Sequence, residues 1–343
     1  MEYPKLSGRG EAGNGQRVAI SIILHAYQQK DSVEAALDSI LDQMVDPNIT
    51  VELLLCDDGS SDGTTEILKS CADRLPGLAV LVHNEEREQF PAPITPGRWL
   101  LLHAVQRAKG DLIAFLDGDD LWTATSKIQS QYEIFKSDKN TILSVHNGWD
   151  VKPDGTKVDY VRARFLKEEL PDKYGPEDVI LSCLFQKAAI MVRKEAIIKE
   201  LDFYTRVPSF DWALLTLASM ESPIRFIDKK MANRYIGPQG LISNKDRYYK
   251  LNWYLRMIEM LDEKTEGAFA SIVRPRRIDF IYRCLDWALS ERSKDKILHY
   301  SNMLESIEGW RSGRDKMKAR MILNWPGLSS LYYRLRTGLI AKG

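Results

Sequence analysis

From Val18 onward the chain alternates short apolar runs rich in Val, Ile and Leu with longer stretches whose apolar residues recur every three or four positions. The first kind suits strands buried on both faces and the second suits helices with one buried face, so the rhythm predicts an α/β fold. Val18 to Leu24 reads as the first strand. Asp31 and Ser32, good capping residues, precede Val33, Ala36, Leu37, Ile40, Leu41 and Met44, which this spacing lays along one helix face. Val51 to Cys56 predicts a second strand, Leu78 to Val82 a third and Leu112 to Leu116 a fourth. A helix with Ile67, Leu68, Cys71 and Leu75 follows the turn-rich stretch Asp57 to Gly63. Another, from about Gly97 to Ala108, is expected to stop at Gly110, where a left-handed residue fits.

Beyond Trp122 the pattern predicts a helix with Ile128, Tyr132 and Phe135, then a strand near Thr141 to Val145. Asp150 to Lys187 is less regular, holds a Pro153-Asp154-Gly155 turn and reads as an insertion. Ala189 to Val192 predicts a strand, Asp211 to Met220 a helix and Ile224 to Ile227 a final strand. After Lys245 the periodicity is helical, with Tyr254, Met257, Ile258 and Leu261 on one face and Ile278, Ile281, Tyr282, Leu285 and Leu289 on another. Three parts follow: a loose polar tail over 1–16, a domain over 17–243 and a helical region over 244–343.

Apolar residues make up 44% and charged residues 28% of the 343, a balance that suits a folded globular chain. Lys plus Arg equals Asp plus Glu at 48 each, so no global field draws the molecule to nucleic acid. The tail Met1 to Gln16 lacks the apolar core of a secretion signal, and no run approaches the ~18 apolar residues of a membrane span. Cys56, Cys71, Cys183 and Cys284 form no CxxC pair, which suits reduced, buried thiols in a cytoplasmic protein.

Two acidic clusters stand where strands end, the usual ligand-binding place in an open parallel sheet. Asp57-Asp58-Gly59-Ser60-Ser61-Asp62-Gly63 is either a plain turn that caps the next helix or a site whose carboxylates accept hydrogen bonds from a base or ribose. In Asp117-Gly118-Asp119-Asp120 three carboxylates in four residues repel one another, which a divalent cation or hydrogen-bond donors would offset. Hard oxygen ligands suit Mg²⁺ or Mn²⁺ shared with a substrate pyrophosphate; the alternative is an acidic turn.

Three stretches resemble glycosyltransferase family 2 in content, order and spacing. They are Ser21-Ile22-Ile23-Leu24-His25-Ala26-Tyr27 with Ala36-Leu37-Asp38-Ser39-Ile40-Leu41-Asp42-Gln43, then Asp57 to Thr64, then Gly110-Asp111-Leu112-Ile113-Ala114-Phe115-Leu116 leading into the second cluster. The resemblance is strong over 18–122, weaker to 243 and absent beyond. It implies a GT-A fold with a C-terminal helical region, and an inverting, metal-dependent transferase that uses a nucleotide sugar. Residues 17–122 would bind nucleotide sugar and metal, and 123–243 the acceptor.

Carried across by position, the resemblance places Tyr27 at the base, with His25 where the family usually has Thr. Asp58 would meet the base or ribose, with Asp57 beside it. Asp119, helped by Asp117 or Asp120 about Gly118, would hold Mn²⁺ or Mg²⁺ on the donor diphosphate. Phe210-Asp211-Trp212 matches the place of the general base, with Phe210 where a Glu is usual; the alternative for Asp211 is a helix N-cap. Arg234-Tyr235-Ile236-Gly237-Pro238-Gln239-Gly240 matches a loop over the donor but lacks its His, which leaves Arg234 as a candidate phosphate ligand. Arg98 is another, or else an exposed helix-surface residue.

The expected donor is a nucleoside-diphosphate sugar, UDP or dTDP by family habit, and the expected acceptor a sugar or lipid-linked sugar in surface polysaccharide or glycolipid synthesis. A catalytically inactive nucleotide-sugar-binding partner in a polysaccharide assembly complex is the competing reading. A nicotinamide oxidoreductase or a sugar nucleotidyltransferase needs a Gly-rich turn after the first strand, and His25 to Lys30 has no glycine. A phosphatase with a nucleophilic Asp would carry its paired aspartates after the first strand, not the fourth. Between Trp310 and Gly343, eight Lys or Arg stand against the single Asp315, interleaved with Trp325, Tyr332, Tyr333, Leu335, Leu339 and Ile340. This segment suits either peripheral contact with the inner membrane face or a solvated basic face.

Overall fold

The structure, a computed structural model, describes residues 4–8, 19–83, 96–165, 169–237, 245–291 and 293–324. Its contacts divide it into two compact units, Met1–Gly240 and Leu241–Gly343. In chain order the strands are β1 (Ile20–Ala26), β2 (Val51–Asp57), β3 (Ala79–His83), β4 (Leu112–Asp117), β5 (Leu121–Trp122), β6 (Leu143–Val151), β7 (Lys157–Asp159), β8 (Lys173–Tyr174), β9 (Met191–Arg193) and β10 (Ile224–Tyr235). Helices of the first unit are α1 (Val33–Leu41), α2 (Thr64–Arg74), α3 (Pro96–Arg107), α4 (Lys127–Ser137), α5 (Pro176–Val179), α6 (Lys194–Ile198), α7 (Leu201–Arg206) and α8 (Phe210–Glu221).

One sheet runs in the order β3-β2-β1-β4-β9-β6-β10-β5, with β7 on β6 and β8 on β10. Every residue of β2 and all of β1 but His25 are buried, which is why these strands read as apolar runs rather than alternating patterns. The chain steps outward from β1 through β2 to β3, then crosses to the other side of β1 as β4, and all four strands run parallel. This reversal opens a crevice at the carboxyl ends of β1 and β4. Register sets His25 opposite Asp117 and Ala26 opposite Asp57. β9 runs antiparallel to both β4 and β6 and joins the two halves of the sheet.

Several elements differ from the sequence expectation for identifiable reasons. β10 is twelve residues long, because Asp228, Lys229 and Lys230 interrupt the apolar pattern where register shifts mark bulges, while pairing with β6 continues past them. β6 likewise runs on to Val151 and shortens the irregular insertion. Gly110 is not a left-handed helix stop. An added Cβ there would lie 2.5 Å from the Ser21 nitrogen, so close approach to β1 requires the glycine. Its N–H donates to Ser21 Oγ (2.8 Å), and Ser21 Oγ and the Lys109 N–H both donate to the buried Glu52 carboxylate (2.5 Å each).

The described part of the N-terminal segment is docked rather than loose. Leu6 is buried, its N–H donates to Gln43 O (2.9 Å), and Lys5 pairs with Asp42 (2.6 Å).

The second unit contains α9 (Arg247–Lys264), α10 (Ala270–Glu291), α11 (Lys294–Ser306) and α12 (Gly313–Asn324), each packed on the next. Met257, Ile258 and Leu261 are buried as the periodicity predicts, whereas Tyr254 is exposed. Arg277 of α10 bonds Glu259 (3.1 Å) and Asp262 (3.3 Å) of α9, and Tyr300 of α11 donates to Asn252 Oδ1 (2.7 Å). Trp325, Tyr332, Tyr333, Leu335, Leu339 and Ile340 lie outside the described residues, as do Pro238 to Gly240. Among the described residues no helix is long and apolar enough to cross a membrane.

Candidate active site

Main-chain N–H groups of the loop after β1 donate to side chains that follow β2. Gln28 takes a left-handed φ of 53°, and its N–H donates to Ser60 Oγ (2.9 Å); the N–H groups of Gln29 and Lys30 donate to Thr64 Oγ1 (2.9 Å) and Asp62 Oδ2 (3.0 Å). Tyr27 stands at this loop's surface, 38% exposed. Asp58 is buried, its N–H donates to Ala26 O (3.1 Å), and α3 closes over it. A Cβ on Gly97 at the start of α3 would come within 3.4 Å of Asp58 Oδ2 and 3.3 Å of His25 Cε1.

Asp57 is turned inward. Fully buried, it accepts hydrogen bonds on Oδ2 from the Ser60 N–H (3.1 Å) and the Thr65 hydroxyl (2.8 Å). Through that oxygen Asp57 also shapes the loop that carries Asp58.

The turn after β4 is packed against the same corner. The Gly118 N–H donates to His25 O (2.9 Å), and a Cβ at Gly118 would fall 2.6 Å from Gln29 Oε1 and 3.1 Å from Ala26 Cβ, so a side chain there would displace the Gln29 amide. Its three carboxylates have different surroundings. Asp117 is ion-paired with Lys187, and His25 Nδ1 lies 4.0 Å from the same oxygen. Burial and then Lys187 lower the His25 pKa to about 4, so the ring is neutral near pH 7.

Asp120 is buried and accepts the Tyr235 N–H on Oδ1 (3.2 Å), which ties the turn to the end of β10. Its pKa is raised well above the usual carboxylate range by burial, then by Asp117 and Asp119. Asp119 is the exposed member, and its carboxyl is raised too, by surrounding protein bulk and then by Asp117.

Asp211, on α8, lies within electrostatic reach of this group. Ser209, not Asp211, is the N-cap, with its side chain accepting the Trp212 N–H (3.4 Å). Burial holds the Asp211 carboxyl above its ordinary range, Lys187 pulls it back down and Asp117 pushes it up, followed by Arg98 and Arg234, which both lower it. Asp211 and the β4 turn therefore interact across one crevice.

The two arginines are engaged. Arg98 is not an exposed helix-surface residue: it donates to Tyr204 O (2.8 Å) and Val207 O (3.1 Å) and lies over the Phe210 ring (5.8 Å). Arg234 makes a bidentate pair with Asp150 (2.8 and 3.1 Å), beside Arg164 on the same carboxylate (3.0 Å). Lys187, which the sequence did not single out, touches Asp117 and lies within electrostatic reach of Asp211 and Asp120. A lone lysine in Phe185-Gln186-Lys187-Ala188 carries no motif, and only the placement of β9 beside β4 reveals it.

Sheet order, crevice and C-terminal helices together make this a GT-A fold. S. aureus TarS 1–349, solved in complex with UDP-GlcNAc, aligns with a TM-score of 0.54 and 17% identity over 86% of this chain and 90% of that one. Mannosyltransferase PcManGT of Pyrobaculum calidifontis, in complex with GDP-Man and Mn²⁺, aligns with a TM-score of 0.51 and 15% identity over 95% of this chain and 90% of that one. Residues 21–180 match the family described as Glycosyl transferase family 2.

TuaG of Bacillus subtilis (strain 168), provisionally named as a teichuronic acid biosynthesis glycosyltransferase, is 26% identical over 245 residues, 71% of this chain and 89% of TuaG. The UDP-Glc:alpha-D-GlcNAc-diphosphoundecaprenol beta-1,3-glucosyltransferase WfaP of Escherichia coli is 32% identical over 120 residues, 35% of this chain. That match spans 42% of WfaP, less than half its length.

Proposed function

We propose that the chain transfers a sugar from a nucleoside-diphosphate donor to a hydroxyl of a sugar or lipid-linked sugar, with inversion, in the assembly of a surface polysaccharide or glycolipid. The observation that carries this reading is the acidic turn of β4, paired with Lys187, at the crevice where β4 crosses to the far side of β1, with Asp211 in electrostatic reach of both Asp117 and Lys187. The names of TuaG and WfaP support the polymer or glycolipid setting, and WfaP and TarS support a UDP-linked donor, with dTDP the alternative by family habit.

The nucleotide would lie along the ends of β1 and β2, with its base against the exposed Tyr27 and its ribose near Asp58. The donor set of the β4 turn fits a hard divalent cation, because carboxylates that raise one another's pKa are relieved by positive charge. Asp120 is tied to Tyr235 and Asp117 to Lys187, so Asp119 would be the main protein ligand for Mn²⁺ or Mg²⁺. When bound, the cation supplies positive charge opposite the leaving diphosphate.

Asp211 takes the proton of the acceptor hydroxyl as its oxygen attacks. The bond from the anomeric carbon to the phosphate oxygen breaks on the opposite side, with the electron pair leaving on the nucleotide, and this geometry inverts the carbon. The burial that raises the Asp211 pKa makes the carboxylate a stronger base. Incubation with UDP- and dTDP-sugars and Mn²⁺ should release the nucleoside diphosphate. No release of either, together with no thermal shift by either donor, would sink the reading.

A further inference from the structure

Lys187 has a fixed backbone and a poised head group. The 3-10 turn Lys187–Ala189 is pinned by Trp122 Nε1 donating to Ala188 O (2.9 Å) and Gln131 Nε2 donating to Ala189 O (3.0 Å). From it the mostly buried side chain, 15% exposed, extends to Asp117 Oδ1. An ammonium group carries three N–H donors, and one pairing with Asp117 leaves the others to be directed elsewhere.

The nearby guanidinium groups have partners of their own, bidentate with Asp150 for Arg234 and two carbonyls for Arg98. Lysine, a compact charge with rotatable donors, is a common phosphate ligand. The location is also informative: Lys187 contacts the carboxylate at the end of β4 and lies within electrostatic reach of Asp211, so its charge acts on both the acidic turn and the proposed base. If Asp211 takes the acceptor proton, the departing phosphate lies on the β4 side of the anomeric carbon, beside this ammonium.

We propose that Lys187 binds the distal phosphate of the donor, the one that leaves with the nucleotide. The inference rests on the transferase reading above and adds a protein cation to its leaving-group site. As the bond from the anomeric carbon to the phosphate oxygen breaks, the electron pair goes to that oxygen, the acceptor oxygen bonds the carbon and its proton goes to Asp211. Lys187 changes no bond and holds the oxygen that gains charge.

Calorimetric titration of the full chain tests this with UDP, dTDP and GDP, and with the monophosphate matching the tightest of them, in Mn²⁺ and in EDTA. Lys187→Gln should weaken the diphosphate about tenfold or more, in Mn²⁺ and in EDTA alike, and leave the monophosphate within about threefold. Lys187→Arg should retain most of the affinity. Equal diphosphate binding by wild type and Lys187→Gln overturns the role of Lys187 alone, whereas a wild type that binds none of the three in Mn²⁺ overturns the transferase reading with it. Should Lys187→Gln not fold by circular dichroism, Asp117→Asn with Lys187→Met is compared with Asp117→Asn, and the same diphosphate-specific loss is required.

Discussion

The hydroxyl of Ser209 accepts the N–H of Trp212 at 3.4 Å, so the first turn of α8 is capped two residues before Asp211. Sequence alone left Asp211 as either the cap or the base. With the cap occupied, the carboxylate of Asp211 is accounted for by its neighbours Lys187, Asp117, Arg98 and Arg234. Ser209→Ala should therefore cost about 1 kcal/mol in urea unfolding, as loss of an N-cap does. Asp211→Asn should bind donor normally yet turn it over about 10²-fold or more slowly, followed as nucleoside diphosphate release. An Asp211→Asn enzyme at full speed removes the residue from that role.

Proton linkage gives a second expectation. Burial raises the Asp211 pKa, and a base acts only when ionised, so turnover should rise with pH along a limb above the ordinary aspartate value of about 3.9. Lys187 opposes that shift, and its replacement by Gln should move the limb to higher pH. For stability the sign is reversed. A native state that holds this proton more tightly than the unfolded chain loses stability as pH rises through the native pKa, so Asp211→Asn should raise the Tm near pH 7 and lose that gain in acid. Scanning calorimetry at both pH values reads this out.

Asp119 is the exposed carboxylate of the β4 turn, whereas Asp117 and Asp120 are held by Lys187 and the Tyr235 N–H. Asp119→Ala should abolish transfer and also the thermal shift that Mn²⁺ with donor gives the wild type, since a ligand that binds only the folded state raises the apparent Tm. A normal Mn²⁺-dependent shift in Asp119→Ala would move the cation elsewhere.

Gly110 lies against β1 with no space for a side chain, its Cβ position 2.5 Å from the Ser21 nitrogen. Gly110→Ala should cost about 1–3 kcal/mol by displacing the Ser21–Glu52 hydrogen bonds, measured by urea unfolding. A loss below a few tenths would show that the strand yields without strain.

The strands and the acidic turns were legible because both follow from local chemistry. β1, β2 and β4 are buried on both faces, and the aspartates cluster where those strands end. Asp57 and Asp58 show the limit: adjacent in sequence and alike in type, they differ in surroundings, because one closes its own loop and the other lies beneath α3. β10 was read as four residues because charged bulges hide a strand whose pairing with β6 runs to Tyr235. Lys187 was illegible because its meaning is wholly tertiary, arising only when β9 lies down beside β4.

The three residues of β9 bond backward to β4 on one side and to β6 on the other. The two halves of the sheet are therefore sewn into one continuous fabric and not built as two jaws about a hinge. Spreading them apart would tear those ladders, so any opening of the crevice falls to the connections at the strand ends while the sheet stays as it is.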